Sequence, residues 1–347
     1  MKIVMNPHRS GGKLAPNAPF PSTDAQRVAD LLSKCPAAGE TPLATANDLA
    51  PVQELWVKDE RKRMNLGSFK ALGAAYVIAR QAVEVDPNPG PETLKGRTYV
   101  TASAGNHGMS VAAGAKIFGA KAVVYIAQTV PESFAQRLQA MGATPVRAGS
   151  DYAASMEAAQ EAAAENGWIL LSDSSWDGYT DLPYTLMEGY LQMAAEAVDQ
   201  CPEVPTHIFL QAGVGGLAGA VAAYARKAWG DVPQIIVVEP DAAPALQASI
   251  EAGTCVFADG PDSIMGRLDC KEPSLIALNG LARDADVFVT LDDATVTACL
   301  PAMADAGLET TASGGAGVAA AMQQDLRDAL GIGSSARVLC FLSEVPD

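Results

Sequence analysis

Thr206-His207-Ile208-Phe209-Leu210-Gln211 leads directly into Ala212-Gly213-Val214-Gly215-Gly216-Leu217-Ala218-Gly219. The apolar, β-favouring run predicts a strand over 206–211, and the glycines predict a turn that opens a helix from about Gly216 to Trp229. The same alternation of strand and helix extends to both sides. Short strands are expected at Thr98–Ser103, Ala122–Ala127, Thr144–Val146, Trp168–Ser172, Ile208–Gln211, Ile235–Val238, Val287–Leu291 and Val338–Leu342. Ala-rich helical stretches such as Asp151–Asn166 separate them. Strands alternating with helices make right-handed βαβ units, so the predicted class is α/β with mostly parallel sheets flanked by helices.

The first four of these strands are expected to form one sheet and those from residue 208 onward another. Gln200-Cys201-Pro202-Glu203-Val204-Pro205 breaks the chain between them. At ~150 residues per domain, 347 residues make about two domains. The expected division is a larger domain from 1–88 with 192–347 and a smaller one from 89–191. The segment before residue 60, punctuated by Pro16, Pro19 and Pro21, reads as irregular chain that wraps the second domain.

Composition narrows the function. With 24 Lys and Arg against 40 Asp and Glu, the net charge of −16 repels phosphate backbones and excludes a general nucleic-acid binder. No apolar run approaches the ~18 residues of a membrane span, and the opening Met1–His8 lacks a secretory core, so a soluble cytoplasmic protein is expected. The 6 cysteines show no C-x-x-C and read as reduced, mostly buried thiols. The 3 histidines (His8, His107, His207) are far apart, so no metal site is expected.

Ligands of open α/β sheets bind beyond the carboxyl ends of strands, where three places stand out. In Gly213–Gly219, backbone N–H groups can converge on an anion at a helix N-terminus, although tight helix–sheet packing also selects glycine. The pattern is not that of a P-loop, and Glu239 is the one acidic candidate for a ribose. In Thr101-Ala102-Ser103-Ala104-Gly105-Asn106-His107-Gly108, small residues leave room for a ligand whose carboxylate the N–H groups can hold. Ser103 or Asn106 can equally serve as a helix cap. In Ser68-Phe69-Lys70-Ala71-Leu72-Gly73-Ala74-Ala75-Tyr76, a buried helix carries a lysine in its first turn. Helix dipole and desolvation would both lower its pKa, which suits a Schiff-base amine, while a snorkelling side chain is the plain alternative.

In order and spacing, Ser68-Phe69-Lys70, Ser103–Gly108 and Gly213–Gly219 resemble the fold-type II pyridoxal-phosphate enzymes. That group comprises the serine/threonine dehydratases, cysteine synthase and tryptophan synthase β, and the likeness runs from about Thr41 to the C-terminus. Within it the chain is most similar to the diaminopropionate ammonia-lyases. Val57-Lys58-Asp59-Glu60, Asp173-Ser174-Ser175-Trp176-Asp177-Gly178-Tyr179-Thr180, Gly189-Tyr190, Val238-Glu239-Pro240-Asp241 and Ile264-Met265-Gly266-Arg267-Leu268 with Glu272-Pro273 carry that likeness.

The resemblance implies roles. Lys70 would hold pyridoxal 5'-phosphate as a Schiff base and remove the Cα proton. The backbone of Gly213, Val214, Gly215, Gly216 and Leu217 would bind the phosphate, Asn106 the 3' oxygen, Phe69 the ring, and Ser343 the pyridine nitrogen. Ser103, Ala104, Gly105 and His107 would line the substrate carboxylate site, and Asp173 would meet the β-ammonium group. The implied reaction is α,β-elimination of 2,3-diaminopropionate, the L-isomer favoured, to pyruvate and ammonia, by a homodimer acting on a small amino acid. Two departures stand out. Ala104 replaces an aspartate associated with proton removal from the D-isomer, and Ala312 stands where relatives usually carry a glutamate, so the pocket reads as short of acids. Ala104 also gives the Ser-Ala-Gly-Asn-His sequence of dehydratases acting on serine, threonine or other 3-hydroxy amino acids. A non-catalytic pyridoxal-phosphate carrier or a nucleotide-binding regulator is the alternative of a different class.

Overall fold

The computed structural model describes residues 1–346. Its strands are β1 (Ile3–Met5), β2 (Leu43–Thr45), β3 (Glu54–Asp59), β4 (Thr98–Ala102), β5 (Lys121–Ile126), β6 (Thr144–Arg147), β7 (Ile169–Leu170), β8 (His207–Gln211), β9 (Gln234–Pro240), β10 (Val287–Leu291) and β11 (Arg337–Leu342). They form a 7-stranded sheet in the order β1-β10-β9-β8-β11-β3-β2 and a 4-stranded sheet in the order β6-β5-β4-β7. The small sheet is parallel throughout. The large sheet is parallel from β10 to β3, with β1 and β2 added antiparallel at its edges. The architecture is α/β, as the alternation predicts.

The central strands are near-continuous apolar runs because helices cover both faces of the sheet. In β10 every residue is buried, and in β11 all but the first. The helices Gly216–Trp229 and Leu275–Asp284 pack together on one face, while Asp293–Asp305 and Ala312–Met322 pack on the other. Beside β4, helix Asn106–Ile117 meets helix Ala74–Val85 so closely that a Cβ on Gly114 would lie 3.0 Å from the Ala75 Cα.

The segment before residue 60 is not irregular. It supplies β1, the helix Ala25–Leu32, β2 and β3, so this expectation is corrected. Two of its strands are only three residues long, which leaves no period to read. β3 hides its burial behind Lys58 and Asp59. Lys58 is fully buried because its ammonium donates to Glu196 Oε2 at 2.6 Å, to the Thr41 carbonyl at 2.6 Å and to Gln200 Oε1 at 2.8 Å. Arg63, also fully buried, bridges Glu60 and Glu196, and the four charges neutralise one another inside the protein.

From this cluster the chain turns through Met64, Asn65 and Gly67, all at positive φ, into the segment that carries Lys70. That segment is not the first turn of an α-helix, a second correction. Phe69–Leu72 is a single 3-10 turn, and the α-helix Ala74–Val85 starts only after Gly73. Gly189 packs directly against this turn, where a Cβ would sit 2.0 Å from the Leu72 carbonyl oxygen. Beyond the carboxyl ends of β3, β4, β7, β8 and β11 lie, in turn, the Lys70 segment, the 103–108 loop, Asp173, the glycine loop and Ser343-Glu344. No helix among the described residues is long and apolar enough to cross a membrane.

Candidate active site

Lys70 is fixed from both sides of its short turn. The Ser68 hydroxyl accepts from the Lys70 N–H at 3.1 Å, and the Phe69 N–H donates to the Ser343 carbonyl at 3.0 Å. The side chain crosses to the other sheet, where Nζ donates to Asp173 Oδ2 at 2.6 Å. Both groups are about one-fifth exposed, at 21% and 17%. Burial works to lower the Lys70 pKa, but the Asp173 carboxylate outweighs it, so the pKa is raised. The expected neutral amine is thus corrected: in this arrangement Lys70 is an ammonium. Burial likewise opposes the charge on Asp173, yet Lys70 holds its carboxyl well below the usual range.

Beyond β4, the plain and the functional readings divide between two residues. Ser103 does the capping, since its hydroxyl accepts from the N–H groups of Gly105 at 3.2 Å and Gly108 at 3.0 Å. Asn106 opens the helix Asn106–Ile117 and sends its amide Nδ2 to Glu344 Oε2 at 2.6 Å. Ala104 is exposed in the same loop. His107 is buried with Nε2 against the Leu171 carbonyl at 2.8 Å, so the proton sits on Nε2 and Nδ1 is bare and unpartnered. Burial lowers its pKa and keeps the ring neutral.

The helix after β8 is Gly216–Trp229, as expected, and Gly215 before it adopts φ +97°. Packing alone requires two of the glycines. A Cβ on Gly213 would lie 2.9 Å from Cys270 Sγ, and one on Gly215 would lie 2.9 Å from the Ala277 Cβ. The loop nevertheless keeps a binding capacity. Among the described residues no acceptor meets the N–H groups of Gly215, Gly216 or Leu217, which cluster with Val214 at the positive end of the helix.

Two residues of the site escaped the sequence reading. Glu344 is 3% exposed and accepts from Asn106 and from Arg267 Nη1 at 2.8 Å, with a further close contact to the Thr311 hydroxyl. The expected shortage of acids is therefore corrected: a carboxylate from the end of β11 reaches the space beside Ala312. Ser343 came from the resemblance alone; a reading of the carboxyl end of β11 as close as that of the other strands would have met Glu344 beside it. Tyr190 packs its ring 4.9 Å from Phe69, and its hydroxyl is buried without a hydrogen-bond partner. Gly189-Tyr190 stood out only as a point of likeness: Tyr190 joins the helices Asp181–Gly189 and Leu191–Gln200, and nothing in the sequence points its ring inward. The cysteines are free, but only Cys299 and Cys340 are buried, which corrects the expectation of mostly buried thiols.

Lysine, glycine loop and small-residue loop thus stand at the carboxyl ends of parallel strands, the arrangement of an enzyme that works on a phosphate-bearing cofactor. The chain belongs to the pyridoxal-phosphate dependent enzyme family, which matches residues 35–344. Among curated proteins it is similar to the diaminopropionate ammonia-lyase of Escherichia coli (strain K12), 33% identical over 294 residues covering 79% of this chain and 73% of that one. The diaminopropionate ammonia-lyase of Salmonella typhimurium is 32% identical over 349 residues, covering 90% and 86%. Among solved structures, the Escherichia coli diaminopropionate ammonia-lyase in complex with an aminoacrylate-PLP azomethine reaction intermediate has a TM-score of 0.86 at 28% identity, covering 99% of this chain and 93% of that one.

The cofactor is pyridoxal phosphate, and the residues present fit it. A row of amides without acceptors suits a phosphate, and an amine on a rigid turn suits the aldehyde. A nucleotide is a poorer match. Glu239 is fully buried and both its oxygens are taken, by the N–H groups of Leu246 at 2.7 Å and Gln247 at 2.8 Å, so it offers nothing to a ribose.

Proposed function

We propose that this protein catalyses α,β-elimination of ammonia from 2,3-diaminopropionate, the L-isomer favoured, to give pyruvate and a second ammonia. The bound cofactor supplies an electron sink next to the substrate Cα. Lys70 holds it through Nζ, and the Gly213–Leu217 amides hold its phosphate. Asn106 and Phe69 orient the ring, while the neutral Ser343 hydroxyl faces the pyridine nitrogen. His107 holds the substrate carboxylate through its backbone N–H, beside Ala104; the expected donors Ser103 and Gly105 already give their N–H groups to the Tyr125 carbonyl at 3.0 Å and the Ser103 hydroxyl at 3.2 Å.

The observation that carries this reading is the 2.6 Å pair of Lys70 Nζ and Asp173 Oδ2. Asp173 is a carboxylate held ionised beside the reactive amine, so it is suited to receive a β-ammonium group. Engaging that cation loosens its hold on Lys70. The lysine pKa then falls, the ammonium gives its proton to solvent, and the free Nζ would take the proton from Cα. One carboxylate thereby recognises the leaving group and releases the base.

The test is an absorbance spectrum of purified protein before and after L-diaminopropionate, with pyruvate and ammonia assayed alongside. Two ammonia per pyruvate are expected. Asp173→Asn should cut kcat/KM for the diamine by about 100-fold, the size of a lost charge-assisted hydrogen bond, and should change that for L-serine far less, since only the diamine loses its partner for the leaving group. A second reading rests on Ala104. A small neutral residue there suits a 3-hydroxy amino acid, and a higher kcat/KM for L-serine than for the diamine would establish it. We further infer a cytoplasmic homodimer with two domains, 1–88 with 192–347 and 89–191, supported by the likeness to lyases of this kind and by the two separate sheets.

A further inference from the structure

Tyr190 lies wedged between the two segments that matter most. On one side a Cβ on Gly73, just past the Lys70 turn, would stand 2.9 Å from its hydroxyl and 3.0 Å from Cε1. On the other, a Cβ on Gly216, the first residue of the helix behind the glycine loop, would stand 3.3 Å from Cε2. Both glycines leave room for the ring. The ring also tilts against Phe69, and Lys70 Nζ is 5.9 Å from its centroid. The residue is 1% exposed, and its hydroxyl has no hydrogen-bond partner. Leaving such a donor buried and unpaired costs stability, so a site that keeps it gains elsewhere.

We propose that the Tyr190 hydroxyl is a side-chain donor to the cofactor phosphate, completing on the lysine side the cradle that the Gly215–Leu217 amides form on the helix side. Position and chemistry agree. The ring sits between the turn that binds the aldehyde end and the loop whose N–H groups have no acceptor, with its hydroxyl on the side of Gly73. The Lys70 ammonium is near enough to pull on the phenol, but it is already held by Asp173 at 2.6 Å. Burial, the largest influence, pushes the phenol pKa up to about 12, so the group stays a donor at neutral pH.

The proposal rests on the pyridoxal-phosphate assignment, and its test separates the two. Tyr190→Phe keeps the ring and removes one oxygen. Binding of pyridoxal phosphate and of pyridoxal, which lacks the phosphate, is measured on stripped protein by absorbance, with thermal melting of the apo and holo forms. The dissociation constant for pyridoxal phosphate should rise about tenfold and that for pyridoxal change less than twofold. The apo variant should melt higher than apo wild type, because the orphan hydroxyl is gone, while the stabilisation by cofactor shrinks. Unchanged affinity for pyridoxal phosphate overturns the proposal. So does an equal loss for both ligands, which would put the hydroxyl at the ring or lysine end. Wild-type protein that takes up no pyridoxal phosphate would remove the cofactor assignment, a result the variant cannot mimic.

Discussion

Glu344 joins four segments distant in sequence. Its carboxylate takes Asn106, Arg267 and Thr311, and its carbonyl accepts from the Thr310 hydroxyl at 2.6 Å. Glu344→Ala should destabilise the protein by about 1–3 kcal/mol in urea unfolding, because Asn106 and Arg267 lose a buried acceptor, whereas Glu344→Gln should cost less. Activity should fall with both, since the Asn106 amide loses its orientation. At this scale the sequence singled out residues that the structure joins in pairs: Lys70 bonds Asp173, and the Phe69 N–H beside Lys70 donates to the Ser343 carbonyl, next to the Glu344 that takes Asn106. It was silent on electrostatics. The sign of the Lys70 shift depends on a partner 103 residues away, which no local rule about helix dipoles can supply.

Between the elements, the buried cluster of Lys58, Glu60, Arg63 and Glu196 ties β3, the turn after it and the helix Leu191–Gln200 into one unit behind the Lys70 segment. Arg63→Met should cost about 3–5 kcal/mol in urea unfolding, because Glu60 would be left buried without its cation and Glu196 with Lys58 alone. Burial opposes the charge on Glu196, but Arg63 first and Lys58 second bring its pKa down to about 2. Lys58 contributes less, since burial lowers its own pKa against the pull of Glu196. A depressed carboxyl stabilises the fold above its unfolded value and loses that contribution as pH falls towards its folded value. The urea midpoint should therefore hold above about pH 5 and decline below it, and Glu196→Gln should flatten that decline. Long elements with a clear period, such as Tyr152–Asn166 or β10, were readable to within a residue or two. β3 was not, because charged residues paired inside the protein look the same in sequence as charged residues in water.

For the whole molecule, the cofactor site borrows from both sheets, so ligand and fold stabilise each other. Stripping pyridoxal phosphate should lower the melting temperature by about 5 °C when free cofactor had stood at about 100 times its dissociation constant, equivalent to about 2.7 kcal/mol. A shift near zero would mean that the site does not need both sheets in place. The strand order carries one more consequence. β3 bonds only to β2 and β11, and β11 alone joins that pair to β8 and the rest of the large sheet. During synthesis on the ribosome, Glu54–Asp59 emerges early and waits for Arg337–Leu342, while the four strands of the small sheet, all within 98–170, can assemble in the meantime. The reactive lysine, carried just beyond β3, therefore reaches its working position only once β11 is available, so no nascent chain that stops short of β11 can hold the complete site.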